Sequence, residues 1–365
     1  MPDLITSVHA DFNALPPDCA ALFALGGSGD VFSTLPWYQN FSRTIASVTG
    51  RLRIYTVADA SGQIGLIMPM WQRTPIGILE ARGLQPVANY YTGLFASLMR
   101  GELADMDAHL KAWAQALMAE LPRWQRIDLF PLAKDAAHYE AIVAALRGAG
   151  FRTQRYFSFG NWYLKIAGRS YEEYFNGLPS KLRHTVMRKS RQLGTMQGFH
   201  ISILTEPWQS AEGARVYDRV YGASWKNPEA CPAFIPGMIQ TCAANGWLRM
   251  GVAYLNGVAV AFQIWIVHGG VASIYKLAYD EAHAKLSIGS VLTATMMHQV
   301  IDVDKVTEVD YLSGDEEYKR DWMSDRRERW GIAAFNPYTL RGALDGARHL
   351  LGRRVKGLLP TGGRE

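Results

Sequence analysis

Two stretches in the second half of the 365-residue chain combine residue types that could do chemistry. In 273–297, SIYKLAYDEAHAKLSIGSVLTATMM, Lys276 falls on an expected strand and Asp280 and Glu281 at its end. Ser287-Ile288-Gly289-Ser290 then opens an expected helix. A helix N-terminus presents free backbone N–H groups and the positive end of the dipole, which favours a phosphate or pyrophosphate. Glycine there allows a ligand close to the backbone, although helix capping alone also explains Ser and Gly at such a place. Further on, VDYLSGDEEYKRDWMSDRR (309–327) gathers Asp310, Gly314, Asp315, Tyr318, Lys319 and Trp322. A lysine and a carboxylate after a strand end can bind phosphate and remove a proton. The same mixture of charges also suits a solvated helix face.

Other chemistries lack their residues. Gly26-Gly27-Ser28-Gly29 is not followed by Gly-Lys-Ser/Thr, so no P-loop is present. No G-x-S-x-G elbow or cysteine nucleophile motif occurs. Cys19, Cys231 and Cys242 form no C-x-x-C pair, and the nine histidines lack metal-type spacing, so no metal is expected. The N-terminus shows no basic start followed by an apolar core. The apolar run 250–267 is broken by Asn256-Gly257, a type I′ hairpin signal, and Gln263 suits a buried strand better than lipid. A soluble protein of a reducing compartment, hence a cytoplasmic location, is expected.

These residues need elements to hold them, and the elements repeat. LRIYTVADASGQIGLIMPMW (52–71) parallels LRMGVAYLNGVAVAFQIW (248–265), each with a Gly turn and a second strand that ends at Trp71 or Trp265. Upstream lie expected aromatic-rich helical segments containing Trp37 and Trp225. Downstream, helices over 105–121 and 290–303 precede IDLF (127–130) and VDYL (309–312). Recurrence in order predicts a duplicated α/β unit, and the length fits two domains. Between the halves, Ser170 with Glu173 reads as a capping box, and Ser180 as the cap of a helix running to Gly194.

The net charge of +5 (38 Lys and Arg, 33 Asp and Glu) is concentrated. Residues 181–191, KLRHTVMRKSR, carry +5 with no acid, and 336–365 carry +4, which leaves the rest at −4. In the tail, Leu340, Leu344, Ala347, Leu351, Val355 and Leu358 recur at steps of three and four, with Arg341, Arg348, Arg353 and Lys356 off that stripe. This suits a basic amphipathic helix on an anionic membrane, over 336–360. Four glycines argue equally for a tail docked on the body or partly ordered. The basic helix 178–193 could also hold tRNA, although Leu182, Val186 and Leu193 give it a core-facing side.

Ser224-Trp225-Lys226, YKLAYDEAHAKLSIGSVL (275–292), Asp310, Gly314 to Lys319, Trp322 and the basic helix together resemble the GNAT-type acyltransferases of the FemAB/BioF-like group, with its CelD-like members linked to cellulose or exopolysaccharide production. The resemblance implies an α/β (α+β) protein of two tandem acyl-CoA N-acyltransferase domains with mixed, strongly twisted sheets. The expected limits are 1–165, 166–335 and a basic tail 336–365. It implies an acyl-CoA, acetyl-CoA above all, as co-substrate. The acceptor would be an amine or hydroxyl of a small molecule or envelope polysaccharide precursor. In the loop that cradles the pyrophosphate, Gly289 fits the group's pattern, whereas Leu286, Ile288 and Val291 depart from it. Lys276, Ser287, Gly289, Ser290 and Tyr318 are the expected donor-binding residues. Lys319, with Asp280 and Asp315 for proton handling, is expected to be catalytic. Tyr318-Lys319 is also similar to a motif of the FemAB branch, which implies aminoacyl-tRNA as an alternative donor. A non-catalytic scaffold in a polysaccharide-synthesising complex is the third reading.

Overall fold

A computed structural model describes residues 4–46, 49–73, 82–101 and 103–358. In chain order its elements begin β1 (Ile5–His9), α1 (Cys19–Gly26), α2 (Leu35–Phe41), β2 (Gly50–Ala58), β3 (Ile64–Arg73), β4 (Gly83–Pro86), β5 (Leu98–Met99), α3 (Leu103–Ala119), β6 (Arg126–Ala133), α4 (Ala137–Gly148) and β7 (Arg152–Lys165). They continue α5 (Tyr171–Asn176), α6 (Ser180–Gly194), β8 (Phe199–Leu204), α7 (Ser210–Gly222), α8 (Phe234–Ala244), β9 (Leu248–Leu255), β10 (Val258–His268) and β11 (Val271–Tyr279). The last are α9 (Ile288–His298), β12 (Glu308–Ser313), α10 (Glu317–Trp322), β13 (Asp325–Phe335) and α11 (Leu340–Leu358).

The chain divides into two compact units. The first comprises 1–26, 46–158 and 328–365, and the second 27–45 and 159–327. The early segment with Trp37 therefore belongs to the second unit. There Trp37 meets Phe234 and Tyr275 edge to face at 5.6 and 5.7 Å, and Asn40 donates to the Phe234 carbonyl. In the first unit the strands run β1-β2-β3-β4-β6-β13, antiparallel except for the parallel β4–β6 pair. In the second they run β8-β9-β10-β11-β12-β7, antiparallel except for the parallel β11–β12 pair. The duplication expected from the sequence is thus a shared strand plan. In each unit two hairpin-linked strands lead into a strand, a crossover containing a helix, and a parallel partner strand. β13, which follows the second crossover, pairs with β6, and β7, which follows the first, pairs with β12.

Local chemistry explains the elements. The β9–β10 turn is Asn256-Gly257, both at positive φ (51° and 77°), as a type I′ turn requires. The capping box forms as expected: Ser170 accepts from the Glu173 N–H and Glu173 reaches back to the Ser170 N–H. Ser180 does not cap α6; Pro179 occupies that position without a side-chain bond, and Ser180 is the first helical residue. Trp225 lies beyond the end of α7 in a loop rather than on a helix. One core, around Trp113, Trp124, Ile127, Tyr139 and Leu146, fills the first unit. A second, around Trp265, Leu292, Met296, Val309 and Tyr311, fills the other and receives Val186 and Leu193 of α6. The five bases of α6 lie off that buried pair. Residues 359 and 360 of the expected tail helix lie outside the described residues.

Candidate active site

β11 and β12 pair only over three residues, Val271–Ser273 with Glu308–Asp310, although β11 runs on to Tyr279. Past the pair, β12 bends. Leu312 sits at φ 55° and Gly314 at φ 112°. A buried polar knot fixes the bend. Asp310 accepts from the Leu312 N–H at 2.6 Å and from Asn161 Nδ2, and it pairs with Arg327. Arg327 also pairs with Glu308 at 2.7 Å and donates to Asn161 Oδ1. Asp310, which the sequence places among the chemistry-bearing residues, is therefore part of the scaffold that aims the next loop.

That loop delivers Lys319. Its side chain is buried, and its Nζ donates to the Ser313 carbonyl and pairs with Glu316 at 2.9 Å. It lies 5.3 Å from the Tyr311 ring centroid. Gly314, at φ 112°, has a backbone that favours glycine, and a Cβ there would crowd Glu316 and the Lys319 amine.

α9 (Ile288–His298) is the next element of the site. Its N-cap Ser287 is left-handed (φ 52°, ψ 36°) and makes no side-chain capping bond. Gly289 has negative φ, and a Cβ added there would lie 4.0 Å from Tyr279, so neither strain nor packing demands glycine. Its carbonyl accepts from Gln263 (3.1 Å) and from Thr293 (3.0 Å). Gln263 also donates to Thr293 Oγ1 at 2.7 Å and accepts from Trp265 Nε1. Tyr311 and Tyr318 meet edge to face, with ring centroids 5.7 Å apart. The Gln263 bonds tie the first turn of α9 to β10. Ser290 stands in that turn, its N–H bonded to the Ser287 carbonyl. Tyr318 is half exposed, and burial together with the nearby Glu316 charge pushes its hydroxyl up to about 12.

Two more lysines and a glutamate complete the cluster. Lys276 on β11 pairs with Glu229 and lies 4.9 Å from the Tyr221 ring. Lys226, 5.6 Å from the Trp225 ring, feels the charges of Lys276, Glu229, Glu316 and Lys319. Burial, reinforced by Lys276, pulls its amine down to about 8. Sequence reasoning used Lys226 only as a mark of resemblance and missed Glu229. The Trp-Lys pair was the available signal for the first. Glu229 sits between Pro228 and Pro232 in an irregular loop, where no periodicity points to it.

The two aspartates expected to handle protons are otherwise engaged. Asp315 holds Arg326 through both oxygens (2.8 and 2.7 Å), and that bidentate bond keeps its carboxyl below the usual range. A general base for neutral pH needs the opposite shift. Asp280 caps the turn 281–286 by accepting from the Ala282 N–H at 3.0 Å. Among the described residues no group of three His, Cys, Asp or Glu could hold a metal ion.

The family described as acetyltransferase (GNAT) domain matches residues 180–320, all within the second unit. Among solved structures, FemX is similar over 92% of this chain and 98% of its own, at 10% identity and a TM-score of 0.63. The tandem GNAT protein from the clavulanic acid biosynthesis pathway is similar over 91% and 98%, at 12% identity and 0.52. The fold is a tandem GNAT fold. L-PGS from Bacillus licheniformis is similar as well, over 93% of this chain and 98% of its own, at 13% identity and 0.52. No curated protein matches the sequence. The domain match supports acyl transfer in general as the activity of the second unit.

Proposed function

We propose that the second unit transfers an acyl group, acetyl above all, from an acyl-CoA to an amine or hydroxyl of a small molecule or an envelope polysaccharide precursor. The observation that carries this reading is the gathering of Lys226, Lys276 and buried Lys319 with Glu229 and Glu316, next to Tyr279, which packs on Trp225 and faces Gly289 in the first turn of α9. The bound thioester would supply an activated acyl carbon. The N–H groups of the first turn of α9, with Ser287, Ser290 and Lys276, hold the donor's pyrophosphate, and Gly289 leaves the approach clear. Lys319, fixed by Ser313 and Glu316, stabilises charge that develops on the acyl oxygen, and Tyr318, protonated at neutral pH, donates beside it. Lys226 accepts the proton that the acceptor loses as its bond to the acyl carbon forms and the thiolate leaves. It replaces Asp280 and Asp315 in that role. The CelD-like grouping rests on the sequence resemblance around Lys226 and Lys319.

A second reading keeps the chemistry and changes the carrier to an acyl ester on tRNA. It is favoured by α6, which exposes Lys181, Arg188 and Arg191 and carries no acid. Calorimetry with acetyl-CoA, and separately with charged tRNA, distinguishes the two. The first reading expects acetyl-CoA to bind, and Lys319→Met to lose about 100-fold or more in turnover with an unchanged melting temperature. Salt-sensitive binding of charged tRNA with no heat from acetyl-CoA transfers the site to the second reading. Wild-type turnover in Lys319→Met removes Lys319 from the site.

A further inference from the structure

The last helix begins with Gly342 and Gly346 inward and Leu340 and Leu344 outward. A Cβ on Gly342 would meet the carbonyl oxygens of Asn336 and Gln125, and one on Gly346 would lie 3.3 Å from Phe335. The His349 ring is 5.1 Å from the Phe335 ring. Residues 342, 346 and 349, at steps of four and three, therefore define the face of α11 that packs on the first unit. Glycine at the first two positions allows the helix axis close to the strand end. The opposite face holds Leu340 and Leu344, which are 82% and 54% exposed. Tyr338 just before the helix is 69% exposed and lies beside Arg123, 5.9 Å from its ring. Leu121 is exposed on the same unit.

An amphipathic helix packed on a protein body normally buries its apolar stripe. Here Leu340 and Leu344 are left in solvent, and the sequence continues their spacing at Leu351, Val355 and Leu358. Its charge selects what covers it. Arg341 and Arg348 follow Leu340 and Leu344 and are the bases beside that stripe in the first turns. Asp345 is the single acid of the helix, and Arg353 and Lys356 continue the 342-346-349 spacing of the packed face. Such a surface repels its own copy and complements anionic headgroups. At 1.5 Å per residue, the 19-residue helix is about 28 Å long, and no described helix is long and apolar enough to cross a membrane. A helix of this kind lies flat.

We propose that α11, with Tyr338, is an in-plane docking surface for an anionic lipid bilayer. The proposal is independent of the acyl-transfer reading, since none of its residues belongs to the lysine cluster. Sedimentation of the full chain with vesicles of phosphatidylcholine alone, and of equal parts phosphatidylcholine and phosphatidylglycerol, tests it. The chain is expected to sediment with the mixed vesicles only, and to be released by high salt. Leu340→Glu with Leu344→Glu should abolish sedimentation, and Arg348→Gln should weaken it about fivefold. Both variants alter exposed side chains, so wild-type circular dichroism and melting are the control for folding. Equal or absent sedimentation of the wild type with the two vesicles overturns the proposal. So does undiminished binding by the double glutamate variant. Vesicle-free dimerisation seen by light scattering, and lost in that variant, would show instead that the stripe meets a second copy.

Discussion

Between β4 and β6 the first unit has the same parallel parting that the second has between β11 and β12. β4 pairs with β6 over two residues, Gly83 and Leu84 with Arg126 and Ile127. There the first unit closes the gap with its own chain. The segment after β4 buries Val87, Ala88, Tyr91 and Phe95, and the Phe95 N–H donates to the Pro131 carbonyl of β6 at 2.7 Å. The second unit buries no side chain in its segment after β11, residues 280–287. It brings Lys226, Lys276 and Lys319 with Glu229 and Glu316 to the corresponding place, and opens α9 with an uncapped left-handed serine. One strand plan thus serves packing in one copy and chemistry in the other. The lesson is that the duplicated fold supplies the parting, and the loop after the third strand decides its use.

The largest expected effect breaks the packing side of that comparison. Phe95 is fully buried in the plug. Phe95→Ala should destabilise the protein by about 3–5 kcal/mol, from lost burial plus the cavity left behind. Thermal unfolding checks it. Turnover per folded molecule should be preserved at temperatures below the new transition. A parallel loss of turnover would mean that the first unit contributes to the chemistry.

How much of this was legible beforehand follows from what each signal depends on. The hairpins were readable because Gly62 and Asn256-Gly257 mark turns between alternating strands. The helix start at 287–290 was readable because its composition is local. Lys319 stood out in a short charged stretch, although its burial did not. The wiring between elements was not. Residues 27–45 join the second unit through Trp37 and Asn40, whose partners lie about 200 positions away. Such a choice leaves no trace in spacing. The engagement of Asp315 was hidden because Arg326 stands 11 residues downstream, and only the fold shows that they pair. The leucine stripe of α11 was visible, but its outward orientation depends on the two glycines and Phe335 across the strand end.

Lys226 tests the chemical side of the comparison. Its amine, drawn down to about 8 by burial and by Lys276, is mostly protonated at pH 7 and mostly free above pH 8. If it accepts the proton, kcat/KM rises with pH through about 8 and levels above. Lys226→Met should remove that limb and cost about 100-fold at high pH. A second readout is independent of turnover. The unfolded chain binds this proton up to the ordinary lysine value, so wild-type stability rises with pH between about 8 and that value. Lys226→Met should therefore melt above the wild type at pH 7, with the gap closing as pH approaches 10. An unchanged rate limb in the variant would assign the titration to another group.

The smallest effect separates a glycine held for a ligand from one held by packing. Gly289→Ala meets nothing nearer than Tyr279 at 4.0 Å and lies at negative φ, so the fold accepts it. Alanine also favours helix over glycine. Melting should stay level or rise slightly. If the backbone of that turn receives a pyrophosphate, the added methyl group stands in its approach, and the donor's Kd should rise about tenfold, a loss of about 1.4 kcal/mol. Gly342→Ala is the counterpart: its methyl group would strike the Asn336 and Gln125 carbonyls, so it should lower the melting temperature and leave donor affinity alone. If Gly289→Ala destabilises the fold and binds acetyl-CoA as the wild type does, position 289 is structural, and the contrast between the two units rests on the lysines alone.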